Sequence, residues 1–212
     1  MESYLGTMSR AVERGDDRQV IKTVKQALTE GVSPLDILES GLVPGIQALG
    51  KQFKDGEAYL PEVLLSCRAM DGGVKELKPY LADTDMHKKG TVVLGTVEGD
   101  LHDIGKNLVR LMLECNGFSV KDLGVDVSAD SFVSEAREHG AHIIGISALL
   151  TLTMTYMPKV IKALEQAGLR HKIKVMIGGA PIGREFADDI GAEGFAEDCV
   201  SAVDEAKRLI GL

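Results

Sequence analysis

The segment Glu98-Gly99-Asp100-Leu101-His102-Asp103-Ile104-Gly105 sets a histidine two residues after an aspartate, at the mouth of a helical stretch. Imidazole can coordinate a metal through one ring nitrogen while the other donates a hydrogen bond to a carboxylate, which sets tautomer and basicity together. His102 and Asp100 are read as that pair, with His102 the metal ligand. A surface ion pair is the plainer alternative, and D-x-H by itself does not separate the two. Two further segments could carry chemistry. Ser147-Ala148-Leu149-Leu150-Thr151-Leu152-Thr153 offers short hydroxyl donors for a buried polar ligand tail, or equally turns and helix caps. Gly178-Gly179-Ala180-Pro181 could let a bulky ligand press on bare backbone, or simply turn the chain.

Each of these segments follows a short β-branched or apolar run. The runs are Thr91-Val92-Val93-Leu94, Phe118-Ser119-Val120, His142-Ile143-Ile144-Gly145-Ile146, Lys174-Val175-Met176-Ile177 and a weaker one near Glu193-Phe195, and they alternate with helical segments. That alternation predicts an α/β fold over residues 90–212: a Rossmann-like, flavodoxin-like parallel sheet of five strands, covered on both faces. In such a sheet the ends of the first, third and fourth strands share one edge, where ligands bind at the reversal of strand order. Ile104, Leu108, Leu111 and Cys115 are expected to form the inner stripe of the first crossover helix, and Met157, Ile161 and Leu164 that of the third. The loop after the first strand has neither a G-x-G-x-x-G nor a P-loop pattern. Its Glu98, Asp100 and Asp103 would repel a pyrophosphate at a helix N-terminus, so the ligand is something other than a bare phosphate chain.

The first part of the chain reads as helices. Gly15 ends one, Asp16 or Asp17 caps a second that stops at Gly31, and Ser33-Pro34 starts a third that Pro44 and Gly45 break or kink. A fourth begins near Leu60-Pro61. Its Val63, Cys67, Met70, Val74 and Leu77 form one apolar stripe, as an antiparallel four-helix bundle over residues 1–86 requires. Residues Asp83 to Lys89 lack periodicity and read as the linker.

Hydrophobic residues make up 44% and charged residues 26% of the 212, as in ordinary globular chains. A net charge of -8, with no basic block, argues against nucleic acid as a partner. No stretch approaches the roughly 20 apolar residues of a membrane span, so no membrane partner and a cytoplasmic location are expected. Cys67, Cys115 and Cys199 are too scattered for a disulfide framework or zinc site and read as small core residues.

Taken in order, Asp100-x-His102-x-x-Gly105, then Ser147-x-Leu149, then Gly178-Gly179 resembles the D-x-H-x-x-G, S-x-L and G-G signature of cobalamin (vitamin B12)-binding domains. These occur in methionine synthase, methylmalonyl-CoA mutase and the corrinoid proteins of methanol and methylamine methyltransferase systems. Phe53-Lys54-Asp55-Gly56-Glu57 and Tyr59-Leu60-Pro61-Glu62 resemble motifs of the family's helical cap, so the likeness covers nearly the whole chain. It implies a cobalamin or related corrinoid bound with its own base detached and its nucleotide tail at the sheet edge. His102 would replace that base as lower axial ligand of cobalt, Asp100 would orient it, and Thr153 would extend the hydrogen-bond relay where methionine synthase has serine. Asp103, Ile104 and Gly105 would lie against the cofactor. Ser147, Leu149, Thr151, Gly178 and Gly179 would line the tail pocket, and Tyr59 and Leu60 would shelter the upper face.

The implied activity is methyl carriage, cobalt cycling between Co(I) and methyl-Co(III). The implied partners are a substrate-specific methyltransferase, a second methyltransferase passing the methyl group to coenzyme M or tetrahydrofolate, and a reductive activator. The chain carries no substrate-activating site of its own, so it is expected to be a non-autonomous subunit. Its methyl donor is not legible here. A B12-binding subunit of an adenosylcobalamin mutase and a B12-dependent sensor are the alternatives.

Overall fold

The computed structural model describes residues 4–81 and 89–212 of the 212-residue chain. Two compact units result, Met1–Lys88 and Lys89–Leu212. The expected linker falls largely outside the described residues, which resume at Lys89.

The helical unit contains α1 (Tyr4–Glu13), α2 (Asp17–Thr29), α3 (Pro34–Asp36), a π-helical stretch (Ile37–Leu42), α4 (Val43–Lys54), α5 (Leu60–Leu77) and a closing 3₁₀ turn (Lys78–Tyr80). Gly15 takes the left-handed φ of 70° that ends α1, and Asp16 caps α2 by accepting the Gln19 N–H at 3.0 Å. The expected break at Pro44 takes a different form. Val43 donates its N–H to the Leu38 carbonyl, five residues back, so the chain widens into a π turn just before the proline that has no N–H to give. Glu62 reaches back to accept the Tyr59 N–H at 2.6 Å, fixing the start of α5. Its stripe of Val63, Cys67, Met70 and Leu77 is buried, together with Met8, Val12, Val20, Val24, Ile37, Leu42, Ile46 and Leu49 of the other helical segments.

The second unit is a parallel sheet of β1 (Gly90–Thr96), β2 (Phe118–Asp122), β3 (Ile143–Ser147), β4 (Lys174–Gly178) and β5 (Gly194–Ala196), in the order β2-β1-β3-β4-β5. This is the flavodoxin-like order, whose reversal point lies between β1 and β3. The connecting helices are α6 (Ile104–Cys115), α7 (Ala129–Glu138), α8 (Thr151–Met154), α9 (Met157–Gln166), α10 (Arg184–Ile190) and α11 (Cys199–Leu209). Alternate strand residues Val93, Ile144, Ile146, Val175 and Ile177 join Phe132, Val133, Met157, Val160, Ile161 and Leu164 in one core. The predicted stripe of α9 is therefore buried. That of α6 is corrected: Ile104 is 79% exposed, and the buried residues are Lys106, Met112, Leu113 and Cys115. Ile104 is the first residue of α6, on the turn that follows the loop from the carboxyl end of β1. All three cysteines are buried as thiols.

Lys106 is the unexpected member of that stripe. Its Nζ donates to Asp122 Oδ1 at the end of β2 at 2.6 Å and to Asn107 Oδ1 at 2.9 Å. Burial pushes the Asp122 carboxyl up, but the hydrogen bonds from Lys106 and the Gly124 N–H, with the charge of Lys106 and Arg110, hold it below the usual range. The pair ties the first turn of α6 to the β2 end. No helix among the described residues is long and apolar enough to cross a membrane.

Candidate functional site

Thr96, Ser147, Gly178 and Ala196 sit in one row across the carboxyl end of the sheet, paired strand to strand. The three sequence segments therefore leave the sheet side by side. Gly179 shows why glycine is required there: at φ 134°, a Cβ would lie 1.8 Å from the Ala148 carbonyl oxygen. Close approach of the β3 and β4 loops already demands it, so the need for glycine is met by the fold itself rather than by a ligand.

Asp100 is completely buried at this edge. Its Oδ1 accepts the His102 backbone N–H at 3.0 Å and faces His102 Nδ1 at 2.6 Å. Its Oδ2 accepts the Leu149 N–H at 2.8 Å, the Leu150 N–H at 3.4 Å and the Thr153 hydroxyl at 2.6 Å. Thr153 also lies 3.0 Å from the Leu150 carbonyl, but its single proton goes to the shorter, charged contact. Burial pushes the Asp100 carboxyl up. The hydrogen bonds from Thr153, Leu149 and the backbone N–H and Nδ1 of His102 outweigh it and hold the group well below the usual carboxylate range.

An ionised Asp100 can only accept, so Nδ1 of His102 must carry a proton. In the neutral ring the lone pair then belongs to Nε2. The His102 side chain is half exposed, and no hydrogen bond engages Nε2 among the described residues. A single imidazole does not hold a bare ion, and no cluster of three or more His, Cys, Asp or Glu among the described residues could do so. One axial nitrogen does suit a metal whose other ligands come from a macrocycle.

The surroundings match that reading. Leu101, Ile104, Leu149, Leu150 and Leu152 are 71%, 79%, 44%, 45% and 75% exposed. They flank Asp100 and His102 in sequence or follow β3 into the amides that bind Asp100, so apolar surface borders the imidazole, as a large flat ligand requires.

Asp100, His102 and Thr153 are thus brought together by direct contact, and Leu149 joins them through its N–H. Ser147 and Gly178 are paired neighbours behind them. Thr151 is exposed on the first turn of α8, Gly105 opens onto space, and the Asp103 carboxylate accepts the Asn107 side-chain amide at 2.9 Å. Tyr59 and Leu60 stand exposed, at 70% and 39%, at the start of α5 in the helical unit.

Sequence reasoning missed two residues that shape this loop. Thr96, fully buried, donates its hydroxyl to the His102 carbonyl at 2.9 Å. Asp126 accepts the Gly99 N–H at 2.7 Å. A threonine at the end of a strand, one row from the site, was the available signal for the first. For the second, separated by 27 residues from its partner, spacing carried none.

Comparison with known proteins agrees with the geometry. Two B12 binding domain models match, one at residues 90–204 and one at residues 5–78. The chain is 43% identical over 212 residues to a corrinoid protein of Desulfitobacterium hafniense (strain Y51), covering 99% of this chain and 98% of that one. It is 42% identical over 210 residues to dimethylamine corrinoid protein 1 of Methanosarcina mazei, at 99% and 97% coverage. The crystal structure of the methanol:cobalamin methyltransferase complex from Methanosarcina barkeri superposes with a TM-score of 0.87 at 29% identity, over 98% of this chain and 80% of that chain. With both units matched and a half-exposed imidazole held by a buried carboxylate at the sheet edge, this chain belongs to the B12-binding family of corrinoid proteins, whose cofactor is a corrinoid.

Proposed function

We propose that this chain is the methyl-carrying corrinoid subunit of a methyltransferase system, with His102 as the lower axial ligand of cobalt. When bound, the corrinoid supplies a cobalt that can accept and release a methyl group between Co(I) and Co(III). The observation that carries the reading is the buried, ionised Asp100, which gives Nδ1 the ring proton and leaves Nε2 of a half-exposed His102 as the donor.

The chain's own residues then have distinct tasks. Asp100 orients the ring by accepting the Nδ1 proton, which turns Nε2 away as the free donor nitrogen. Thr153 commits its hydroxyl proton to Asp100 and so holds the carboxylate in the acceptor state. Leu149 and Ile104, with Leu101, Leu150 and Leu152, exclude water from the ring side of the imidazole. Asp103, Gly105, Ser147, Thr151, Gly178 and Gly179 would contact the remainder of the corrinoid.

The methyltransferase partnership is supported by the solved complex and by the dimethylamine relative. A substrate-specific methyltransferase delivers the methyl group, a second removes it to coenzyme M or tetrahydrofolate, and a reductive activator restores the carrier. Reconstitution of the apoprotein with hydroxocobalamin tests the reading. A coloured protein that retains one equivalent of corrinoid through gel filtration supports it, and a colourless eluate rejects it.

A further inference from the structure

Asp126 is the only non-glycine residue with a left-handed backbone among the described residues, at φ 54°. It lies in the loop after β2, and strain of this kind, held in place by its surroundings, accumulates where a site must be positioned. What it holds is the ligand loop. Its carboxylate Oδ1 accepts the Gly99 N–H at 2.7 Å, and its own N–H donates to the Asp100 carbonyl at 3.0 Å. One residue therefore grips the peptide on each side of the Gly99–Asp100 link, where Gly99 itself turns at φ 82°.

The grip is anchored to the sheet. Val127 N–H donates to the Thr96 carbonyl at 3.0 Å, and Thr96 N–H to the Gly124 carbonyl at 3.0 Å, which stitches the Asp126 loop to the end of β1 on both sides. From the same strand end, the buried Thr96 hydroxyl holds the His102 carbonyl at 2.9 Å. The loop bearing Asp100 and His102 is thus tethered at Gly99, Asp100 and His102 by two residues whose hydrogen bonds go to its backbone amides and carbonyls.

We propose that Asp126 and Thr96 are positioning residues that set where the His102 ring stands, and so determine how much of the bound corrinoid carries a protein nitrogen ligand. The proposal rests on His102 being that ligand. Glycine at 126 would relieve the backbone strain and remove the side-chain acceptor, while asparagine keeps an acceptor oxygen and tolerates the left-handed conformation. The two substitutions therefore separate backbone conformation from the hydrogen bond.

The test loads ¹⁵N-histidine-labelled wild type, Asp126→Gly, Asp126→Asn and Thr96→Val with cobalamin, reduces each to Co(II), and reads the superhyperfine splitting from the labelled nitrogen, distinct from that of the cofactor's own base, in the electron paramagnetic resonance spectrum together with apoprotein melting. In Asp126→Gly the ratio of nitrogen-ligated to unligated cobalt should fall about tenfold, the scale of one lost charge-assisted hydrogen bond, with melting unchanged or raised. Asp126→Asn, which keeps an acceptor oxygen but loses its charge, should lower the ratio by less than Asp126→Gly does. Thr96→Val, which keeps the shape of a buried residue, should lower the ratio by about threefold or more and reports independently if the glycine variant does not fold. A wild-type ratio in both Asp126→Gly and Thr96→Val overturns the positioning role while leaving His102 as ligand. A wild-type spectrum with no splitting from the labelled histidine nitrogen overturns the ligand assignment itself.

Discussion

Replacing Asp100 by asparagine changes one atom and leaves no orientation of the side chain that satisfies its neighbours. With the amide oxygen toward His102, the new NH₂ meets the Leu149 N–H that now lies 2.8 Å from Oδ2, donor against donor. Thr153 can adapt to that orientation by turning its proton to the Leu150 carbonyl, 3.0 Å away. With the amide reversed, NH₂ faces the His102 backbone N–H and also forces Nδ1 to become the acceptor, which moves the ring proton to Nε2. Either way one buried amide loses its partner, at about 1–3 kcal/mol. The contacts from His102 and Thr153 also lose their charge assistance, roughly 1 kcal/mol each. The sum is about 3–5 kcal/mol, large for a single substitution. Urea unfolding of the corrinoid-free protein followed by circular dichroism measures it without reference to the cofactor. An Asp100→Asn apoprotein within about 0.5 kcal/mol of wild type would refute the reasoning, because the carboxylate would then not be the acceptor on which the loop is built.

Thr153→Val should destabilise the apoprotein by about 1–2 kcal/mol by deleting the 2.6 Å donor to Asp100, whereas Thr153→Ser should restore most of it in the same urea assay. Glu205 is held down to about 2 from 4.5, mainly by Arg208, against burial and with help from the Phe195 N–H and Arg184. Because the folded value lies below the unfolded one, its stabilisation is present above about pH 4.5 and lost as pH falls toward 2. Screening around the half-exposed arginines leaves about 1–2 kcal/mol, and Glu205→Gln should flatten that limb of the acid unfolding curve. Leu152→Ser, at a side chain 75% exposed, should leave melting unchanged but weaken cobalamin binding several-fold by titration.

The strands were legible because runs such as Ile143-Ile144-Gly145-Ile146 are buried on both faces and hence nearly continuous in apolar character. His102 and Asp100 were legible for a local reason: they are two residues apart, and their contact is made within one loop. Thr153 is 53 residues from Asp100, and only the family resemblance joined them; no spacing encodes a contact made across a strand pair. Asp126 and Thr96 act on backbone amides and carbonyls, which carry no side-chain signature, so their part in the loop emerges only from the fold. Ile104 was misread because helical periodicity continues past the edge of the sheet, while the surface that would bury it does not. Likewise Pro44 announces a disturbance, but the sequence does not distinguish a kink from the widened turn at Ile37–Leu42.

The account rests on His102 Nε2 binding cobalt, and the most direct measurement is the electron paramagnetic resonance spectrum of the Co(II) form of the cobalamin-loaded protein, compared with His102→Ala. With ¹⁵N-histidine-labelled protein, wild type should show a doublet from the labelled axial nitrogen, and the variant should lose it while still retaining corrinoid; a ¹⁴N triplet or no splitting in labelled wild type would contradict the assignment.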